Sequence, residues 1–177
     1  MEREVIVTGI GGQGVQLVAK VLAGAAAATG RHVMLFGVYG GMMRGGPSES
    51  TVVIAKAPIE TPPIVPSCWA VLAMHPSGLD EVAPRLRPGG LFFANHTLVP
   101  RCPRTDVDEA GIAATALAEK AGAPMAAGMI ALGAFVTHTG LVPLDAVVTA
   151  MRAALPPHRR ALADVNAAML ALGAHRT

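Results

Sequence analysis

Cysteine is scarce in this chain, and what it excludes is specific. Cys68 and Cys102 stand alone, with no C-x-x-C pair, so neither an iron–sulfur cluster nor a structural zinc site can be assembled from this sequence by itself. Two idle thiols in a reducing cytosol is the expected reading, and a disulfide between them stays open. Aromatic residues are 3% of the chain, too few for base-stacking platforms, and the basic residues are scattered at a net charge of +2. A nucleic-acid surface is not expected. The six histidines (His32, His75, His96, His138, His158 and His175) lack the close spacing of a metal pair. His75 follows a strand and precedes Pro76, where sheets often bind ligands, but loop filler is the simpler role. G-x-S-x-G is absent, so no nucleophilic triad is legible and no catalytic residue is assigned.

Long hydrophobic runs are also missing. Residues 121–144 carry no Asp, Glu, Lys or Arg. Gly122-Ala123-Pro124 breaks the start, and Thr137 to Gly140 ends the strongly apolar part after roughly 12–14 residues, short of the ~20 a membrane span needs. Met125–His138 reads as a buried helix. The start, Met1 to Val5, enters a strand directly and is not expected to be a leader. Charged residues are only 15% while hydrophobic ones are 52%. That balance points to large subunit contacts as well as a core. A length of 177 suits a single domain over residues 1–177.

The stretch around which the rest is organised is Val5–Gly14. Val5-Ile6-Val7 is β-branched and uncharged, as a buried parallel strand should be. Gly9-Ile10-Gly11-Gly12-Gln13-Gly14 fits G-x-G-x-x-G, and Val15, Val18, Ala19 and Leu22 follow at helical spacing. Strand, glycine turn and helix together place free N–H groups and the positive end of a helix dipole at the turn, a site suited to phosphate, carboxylate or carbonyl oxygen. A nicotinamide-dinucleotide site also wants an acidic residue after the second strand. None occurs between Arg31 and Glu49. That absence disfavours a free-standing nicotinamide-nucleotide-binding module; this module, an anion or nucleotide-fragment site and a purely structural tight turn all remain open.

The second strand is His32 to Phe36, and the loop after it, Tyr39 to Ser48, holds Gly40, Gly41, Gly45, Gly46 and Pro47, with Arg44 its only charge. A guanidinium flanked by glycines can make forked bonds to a carboxylate or phosphate; an exposed arginine is the plain alternative. Gln13 could offer its amide to a ligand or to a neighbouring loop. Met42, Met43, Met125 and Met129 read as packing or interface filler. Further along, Glu49 to Ala55 is a strand, Lys56 to Glu60 turns the chain as a hairpin, and Thr61 to Pro66 is an extended connection. Trp69 to Met74 is a buried strand. Ser77 caps a helix with Asp80 and Glu81 near its start and Leu79, Val82 and Leu86 on its buried side, kinked or shortened by Pro84. Pro88-Gly89-Gly90 stops it, and Leu91 to Ala94 completes a βαβ unit. Leu98 to Arg104 is a candidate short strand, and Asp106 or Asp108 a candidate cap for a helix carrying Ile112, Ala113, Ala116 and Leu117. Two more helices follow, one with Leu144, Val147, Val148, Met151 and Leu155 on its apolar side, the last with Leu162, Val165, Met169 and Leu172, ending at Gly173. No internal repeat is present. The alternation makes this an α/β chain whose C-terminal third is all helix.

The pair of loops, Gly9 to Gly14 and then Tyr39-Gly40 with Arg44-Gly45-Gly46-Pro47, resembles the gamma subunit of the 2-oxoacid:ferredoxin oxidoreductases. The resemblance continues through the strand from Ser50 to Ala55, Pro58 with Pro62-Pro63, the strand at Trp69, the Leu132-Gly133-Ala134 helix and the final helix from Asn166 to Gly173. The strand from Trp69 to Met74 often begins with an acidic residue in this family, whereas here Trp69 follows Cys68, and Gly128 stands where an Asn commonly precedes the helix Met. The resemblance implies a Rossmann-like three-layer fold with a largely parallel or mixed sheet. It implies a subunit that is not catalytic alone, in an enzyme that decarboxylates a 2-oxoacid oxidatively, leaves an acyl-CoA and passes electrons to ferredoxin. Thiamine diphosphate is then held by alpha and beta partners, and the clusters by beta or delta. This chain has no Gly-Asp-Gly opening for thiamine diphosphate and binds no cofactor by itself. Its part would be to close over the active site and help receive coenzyme A, at Gly9, Gly11, Gly12, Gln13, Gly14, Tyr39, Arg44, Gly45 and Gly46, facing either coenzyme A or neighbouring subunits. A cytoplasmic hetero-oligomer follows, with no membrane or nucleic-acid partner.

Overall fold

A computed structural model describes residues 2–39, 46–60 and 65–176, apart from the side chains of 38 and 39. Alternation of side chains along the strands dictates the layering. Val5 and Val7 of β1 (Glu2–Ile10) face one way and Ile6 the other. The same switch divides Val52 and Ile54 from Val53 in β3 (Pro47–Ala55), and Ala70 and Leu72 from Val71 and Ala73 in β4 (Cys68–Ala73). It also divides Leu91 and Phe93 from Phe92 and Ala94 in β5 (Leu86–Asn95). Strands that are apolar on both faces need cover on both, and a three-layer α/β fold results.

The sheet runs β2 (His32–Tyr39), β3, β1, β4, β5, β6 (Asp108–Ile112). β1, β4, β5 and β6 pair in parallel, while β3 lies antiparallel between β1 and β2. The sheet is therefore mixed. α1 (Val15–Ala28) lies on one face with α3 (Ala114–Lys120), α4 (Ala127–Thr139), α5 (Leu144–Ala154) and α6 (Ala163–Ala174). α2 (Leu79–Val82) and the segments around Val65, Val99 and Cys102 cover the other face.

Residues 128–136 of α4 are buried without a break, because the helix lies between sheet and α6 rather than on a surface. Phe135 meets Phe93 of β5 edge to face at 5.7 Å, the geometry that aligns ring edge with ring face. α4 and α6 cross at two glycines. A Cβ on Gly133 would stand 2.0 Å from the Leu170 carbonyl oxygen, and one on Gly173 2.0 Å from the Ile130 carbonyl oxygen. The helix of the apolar stretch is thus real and 13 residues long; no helix among the described residues is long and apolar enough to cross a membrane.

Several local expectations fail for identifiable reasons. Lys56 to Glu60 does not close a hairpin: β3 pairs with β1 and β2, and the reversal falls between Tyr39 and Pro47. Residues 61–64 of the extended connection lie outside the described residues. Ser77 does not cap α2. Gly78, at φ 84°, occupies that position, and the Ser77 N–H donates to His75 Nδ1 at 3.1 Å. Asp80 and Glu81 do sit in the first turn. Leu86 belongs to β5, which starts before the glycines, with its register shifting between Cys68 and Ala70. The stretch from Leu98 to Arg104 forms no strand, since the N–H groups of Leu98 and Val99 turn back onto the Asn95 carbonyl. Asp108 opens β6 instead of capping a helix. Pairing with β5 overrides the poor strand propensity of Asp-Glu-Ala-Gly-Ile.

Candidate functional site

Where β1 ends, its carboxyl edge meets the loop that enters β3. The Gly11 N–H donates to the Gly46 carbonyl at 3.1 Å, so the two glycine segments adjoin as the sequence implies. Tyr39 ends β2 opposite Ser48. Arg44 and Gly45 lie outside the described residues. Gly14, in the left-handed region at φ 74°, caps α1, and its carbonyl accepts from the Val18 N–H at 2.9 Å. A side chain there would strain the backbone. The preceding N–H groups of the helix have no intrahelical partner, and its first turn holds no acidic residue. This end of α1 is a positive, hydrogen-bond-donating corner.

Gln13 does not reach outward. Its Oε1 accepts from the Ile10 N–H at 3.0 Å, and its Nε2 donates to the Met74 carbonyl at 3.3 Å. A Cβ on Gly9 would stand 2.6 Å from that Oε1, so Gly9 is small because Gln13 folds back over it. Of the two roles open to Gln13, the structure supports the bond to neighbouring loops. Gly11, Gly12 and Gly14 remain exposed.

β3 separates β1 from β2. The end of β2 therefore sits two strand spacings from β1, about 9.5 Å, and carries no acidic residue. A dinucleotide whose pyrophosphate rests on α1 would find no ribose partner there.

Beside the glycine loop lies a cleft of about 550 Å³. Gly12, Gln13, Gly14 and Leu17 form one side; Pro124, Met125 and Met129, at the start of α4, form another. Leu155, Arg159, Leu162, Val165 and Asn166 close it. Met125 is 78% exposed, Leu162 48% and Val165 43%, so the mouth is apolar. Leu162 and Val165, expected on the buried side of the last helix, are instead exposed at this mouth. The buried residues of α6 are Asn166, Met169, Leu170 and Gly173, because the crossing with α4 at Gly133 and Gly173 sets the helix rotation.

Arg159 is not singled out in the sequence, and Asn166 enters there only as the start of the final helix. Signals existed: His158-Arg159-Arg160 is a basic cluster directly after Pro156-Pro157, and Asn166 shares a helical face with Met169, Leu170 and Gly173. Arg159 has no acidic partner among the described residues, whereas Arg152 nearby pairs with Asp164 at 2.7 Å. Asn166 is largely buried and lines the cleft.

On the other sheet face Arg85 holds both oxygens of Glu49, at 2.8 and 3.0 Å, and donates to the Val65 carbonyl at 3.2 Å. Burial pushes the Cys68 thiol up to about 12 and raises that of Cys102. Both thiols are free and packed as small apolar groups. Asp106 is held below the usual carboxylate range by its bond to Arg104. Among the described residues no three His, Cys, Asp or Glu side chains gather as a metal site would need.

Comparison with known proteins agrees with this architecture. The chain is similar to 2-oxoglutarate synthase subunit KorC of Methanocaldococcus jannaschii, 30% identical over 161 residues, covering 88% of this chain and 85% of that protein. It is 33% identical over 144 residues to ketoisovalerate oxidoreductase subunit VorA of Methanothermobacter thermautotrophicus, covering 81% of this chain but spanning only 30% of the length of that protein. The crystal structure of the gamma subunit of keto/oxoacid ferredoxin oxidoreductase from Geobacter sulfurreducens matches with a TM-score of 0.84 at 28% identity, over 99% of this chain and 95% of that one. The sequence pattern described as pyruvate ferredoxin/flavodoxin oxidoreductase spans residues 4–175. By that match and these likenesses, the chain belongs to the pyruvate ferredoxin/flavodoxin oxidoreductase family.

Proposed function

We propose that this chain is a gamma-type subunit of a multi-subunit 2-oxoacid:ferredoxin oxidoreductase, closing the active site and helping to receive coenzyme A. The observation that carries the reading is the juxtaposition of the two glycine segments, tied by Gly11 and Gly46, in a chain that matches the family over residues 4–175. The exposed corner at Gly12 and Gly14 supplies N–H donors without a neutralising acid, as a phosphate ligand requires. Thiamine diphosphate and the clusters belong to alpha, beta and delta partners, and electrons leave through those partners to ferredoxin. Hydrophobic residues at the cleft mouth, Met125 foremost, suit burial against such a subunit.

The test is reconstitution. Co-expression with a thiamine diphosphate-binding partner should yield a complex whose 2-oxoacid oxidation depends on coenzyme A and on this chain. A chain that purifies as an indifferent monomer, or a partner fully active without it, overturns the reading.

A purely architectural role has one observation in its favour: the Gln13 amide is engaged within the fold. Arg44→Ala in the assembled complex separates the two. Unchanged coenzyme A dependence with intact assembly favours architecture; a raised KM for coenzyme A favours the proposed function.

A further inference from the structure

β2 forms one edge of the sheet and β6 the other, and the two edges are built differently. β6 is short, and its Asp108 and Glu109 are charged and exposed. Short length and charge are what keep a strand edge from pairing. β2 has neither. Its eight residues include no Lys, Arg, Asp, Glu or Pro, and it pairs with β3 from His32 to Tyr39 without a bulge. Its outer row of backbone N–H and C=O groups meets no strand among the described residues. Leu35, at mid-strand, is 43% exposed. Beside it runs a groove of about 400 Å³, lined by Gly24 and Ala27 of α1, Ala150 and Ala153 of α5, and Val33 and Leu35; Lys20 alone brings charge to it. A long apolar edge with an apolar groove alongside takes another extended strand. The backbone of that strand completes the hydrogen bonds, and its alternate side chains fill the groove.

We infer that the occupant is β2 of a second copy of this chain, paired antiparallel about a two-fold axis at Leu35. A two-fold axis normal to the sheet sets one residue opposite its own counterpart, and Leu35 suits that place as the exposed aliphatic side chain. The register then sets Met34 opposite Phe36, a thioether against a ring, and Val33 opposite Gly37, where the missing side chain leaves room. The two Arg31 residues, just before the strands, fall about 27 Å apart along the pair, well beyond the range over which exposed charges repel. The grooves of the two copies adjoin across the axis, so each Leu35 is covered by the other. Pairing of this kind closes. It consumes both open edges, joins two six-stranded sheets into one, and leaves only the charged β6 edges outside. A head-to-tail contact of β2 on β6 would instead set Asp108 and Glu109 against an apolar strand and leave open edges for filament growth. Coenzyme A has no part in this contact.

Sedimentation velocity of the full chain at micromolar concentration should show a dimer. Leu35→Lys brings two cations together at the axis and should sediment as a monomer with an unchanged circular dichroism spectrum. Leu35→Cys tests the register even if Leu35→Lys folds poorly. Directly opposite Cβ atoms stand about 4.5–5.5 Å apart, close enough for a disulfide after a small shift. Mild oxidation should therefore give a covalent dimer on a non-reducing gel. The native thiols, Cys68 and Cys102, are buried, and the wild-type chain should give none. Val33→Cys is the control, since its counterpart lies about 14 Å away along the pair and should not cross-link. A wild-type chain that sediments as a monomer overturns the assignment. So does a dimer that survives Leu35→Lys, or a Val33→Cys that cross-links as readily as Leu35→Cys, because a different face then joins the copies. If Leu35→Lys abolishes assembly with the thiamine diphosphate-binding partner while Leu35→Cys cross-links neither alone nor in the complex, β2 docks the partner subunit and the assignment is overturned.

Discussion

Gln13 and Asn95 donate their side-chain amides to one acceptor, the carbonyl of Met74, at 3.3 and 3.2 Å. Met74 follows β4, and its own N–H donates to the Thr8 carbonyl of β1 at 2.8 Å. One carbonyl thus ties together the glycine loop after β1, the end of β4 and the end of β5. The candidate site keeps its shape through this junction, since Gln13 also holds the Ile10 N–H.

The two amides should not be equally important. Asn95 is fully buried and also donates to Thr115 Oγ1 at 2.8 Å while accepting the Thr115 N–H at 3.2 Å. Asn95→Asp turns an acceptor oxygen toward the Met74 carbonyl in a dry place, at a cost of about 3 kcal/mol. Gln13→Glu makes the same exchange at a half-buried position and should cost about 1 kcal/mol. Urea unfolding of both variants measures the difference; equal losses would mean that the junction is not differentially desolvated.

The α4–α6 crossing tolerates no added methyl. Gly133→Ala gains about 1 kcal/mol of helix propensity, but its Cβ would lie 2.0 Å from the Leu170 carbonyl oxygen. Backbone must move, and overpacking of this kind costs about 3 kcal/mol or more. The net expectation is a loss of at least about 2 kcal/mol and a lower Tm. A neutral Gly133→Ala would show that the helices are further apart than described.

Cys68 gives the pH prediction. Burial raises its thiol to about 12 from the usual 9.0. A raised folded-state pKa means that this contribution to stability is fully present below about 9 and is lost as pH climbs toward 12. The unfolded chain then releases a proton that the folded chain keeps. The slope is at most about 1.4 kcal/mol per pH unit. Cys68→Ser should flatten the alkaline limb of a stability–pH curve. Native protein should also leave Cys68 unalkylated at pH 8, with reaction appearing only on unfolding.

Arg85 and Glu49 should be coupled. Arg85 Nη1 serves both Glu49 oxygens, and the pair is largely shielded, with side chains 24% and 18% exposed, so more than a typical surface pair survives screening. A double-mutant cycle with Arg85→Ala and Glu49→Ala should return a coupling of about 1–2 kcal/mol. A value near zero would assign Arg85 to its bond with the Val65 carbonyl alone.

Gly12 tests the exposed corner. It stands at φ 101°, and a Cβ there would touch nothing within 4 Å. Gly12→Ala should therefore cost only the backbone strain, about 1–2 kcal/mol, while crowding the cleft it lines. A raised KM for coenzyme A at nearly unchanged kcat is the expected signature in the complex.

Local periodicity and turn chemistry were enough to reveal β1, α1, β4 and α4. Apolar alternation and helical spacing are properties of neighbouring residues, and tertiary structure had no reason to override them there. The glycine loop was legible for the same reason: strand, glycines and helix are contiguous. β6 was not legible, because Asp108–Ile112 has little strand propensity and becomes a strand only by pairing with β5. Nor was the position of β3 between β1 and β2, which no short-range pattern encodes and which removes the dinucleotide geometry. Asn166 and Arg159 lie far along the chain from Gly12. They join its cleft only because α4 and α6 meet at two glycines and rotate the last helix. Local sequence therefore settled which segments are strand, turn or helix wherever their own side chains decide it. Long-range packing alone settled which distant residues share a cleft, since that depends on contacts between segments that no single segment contains.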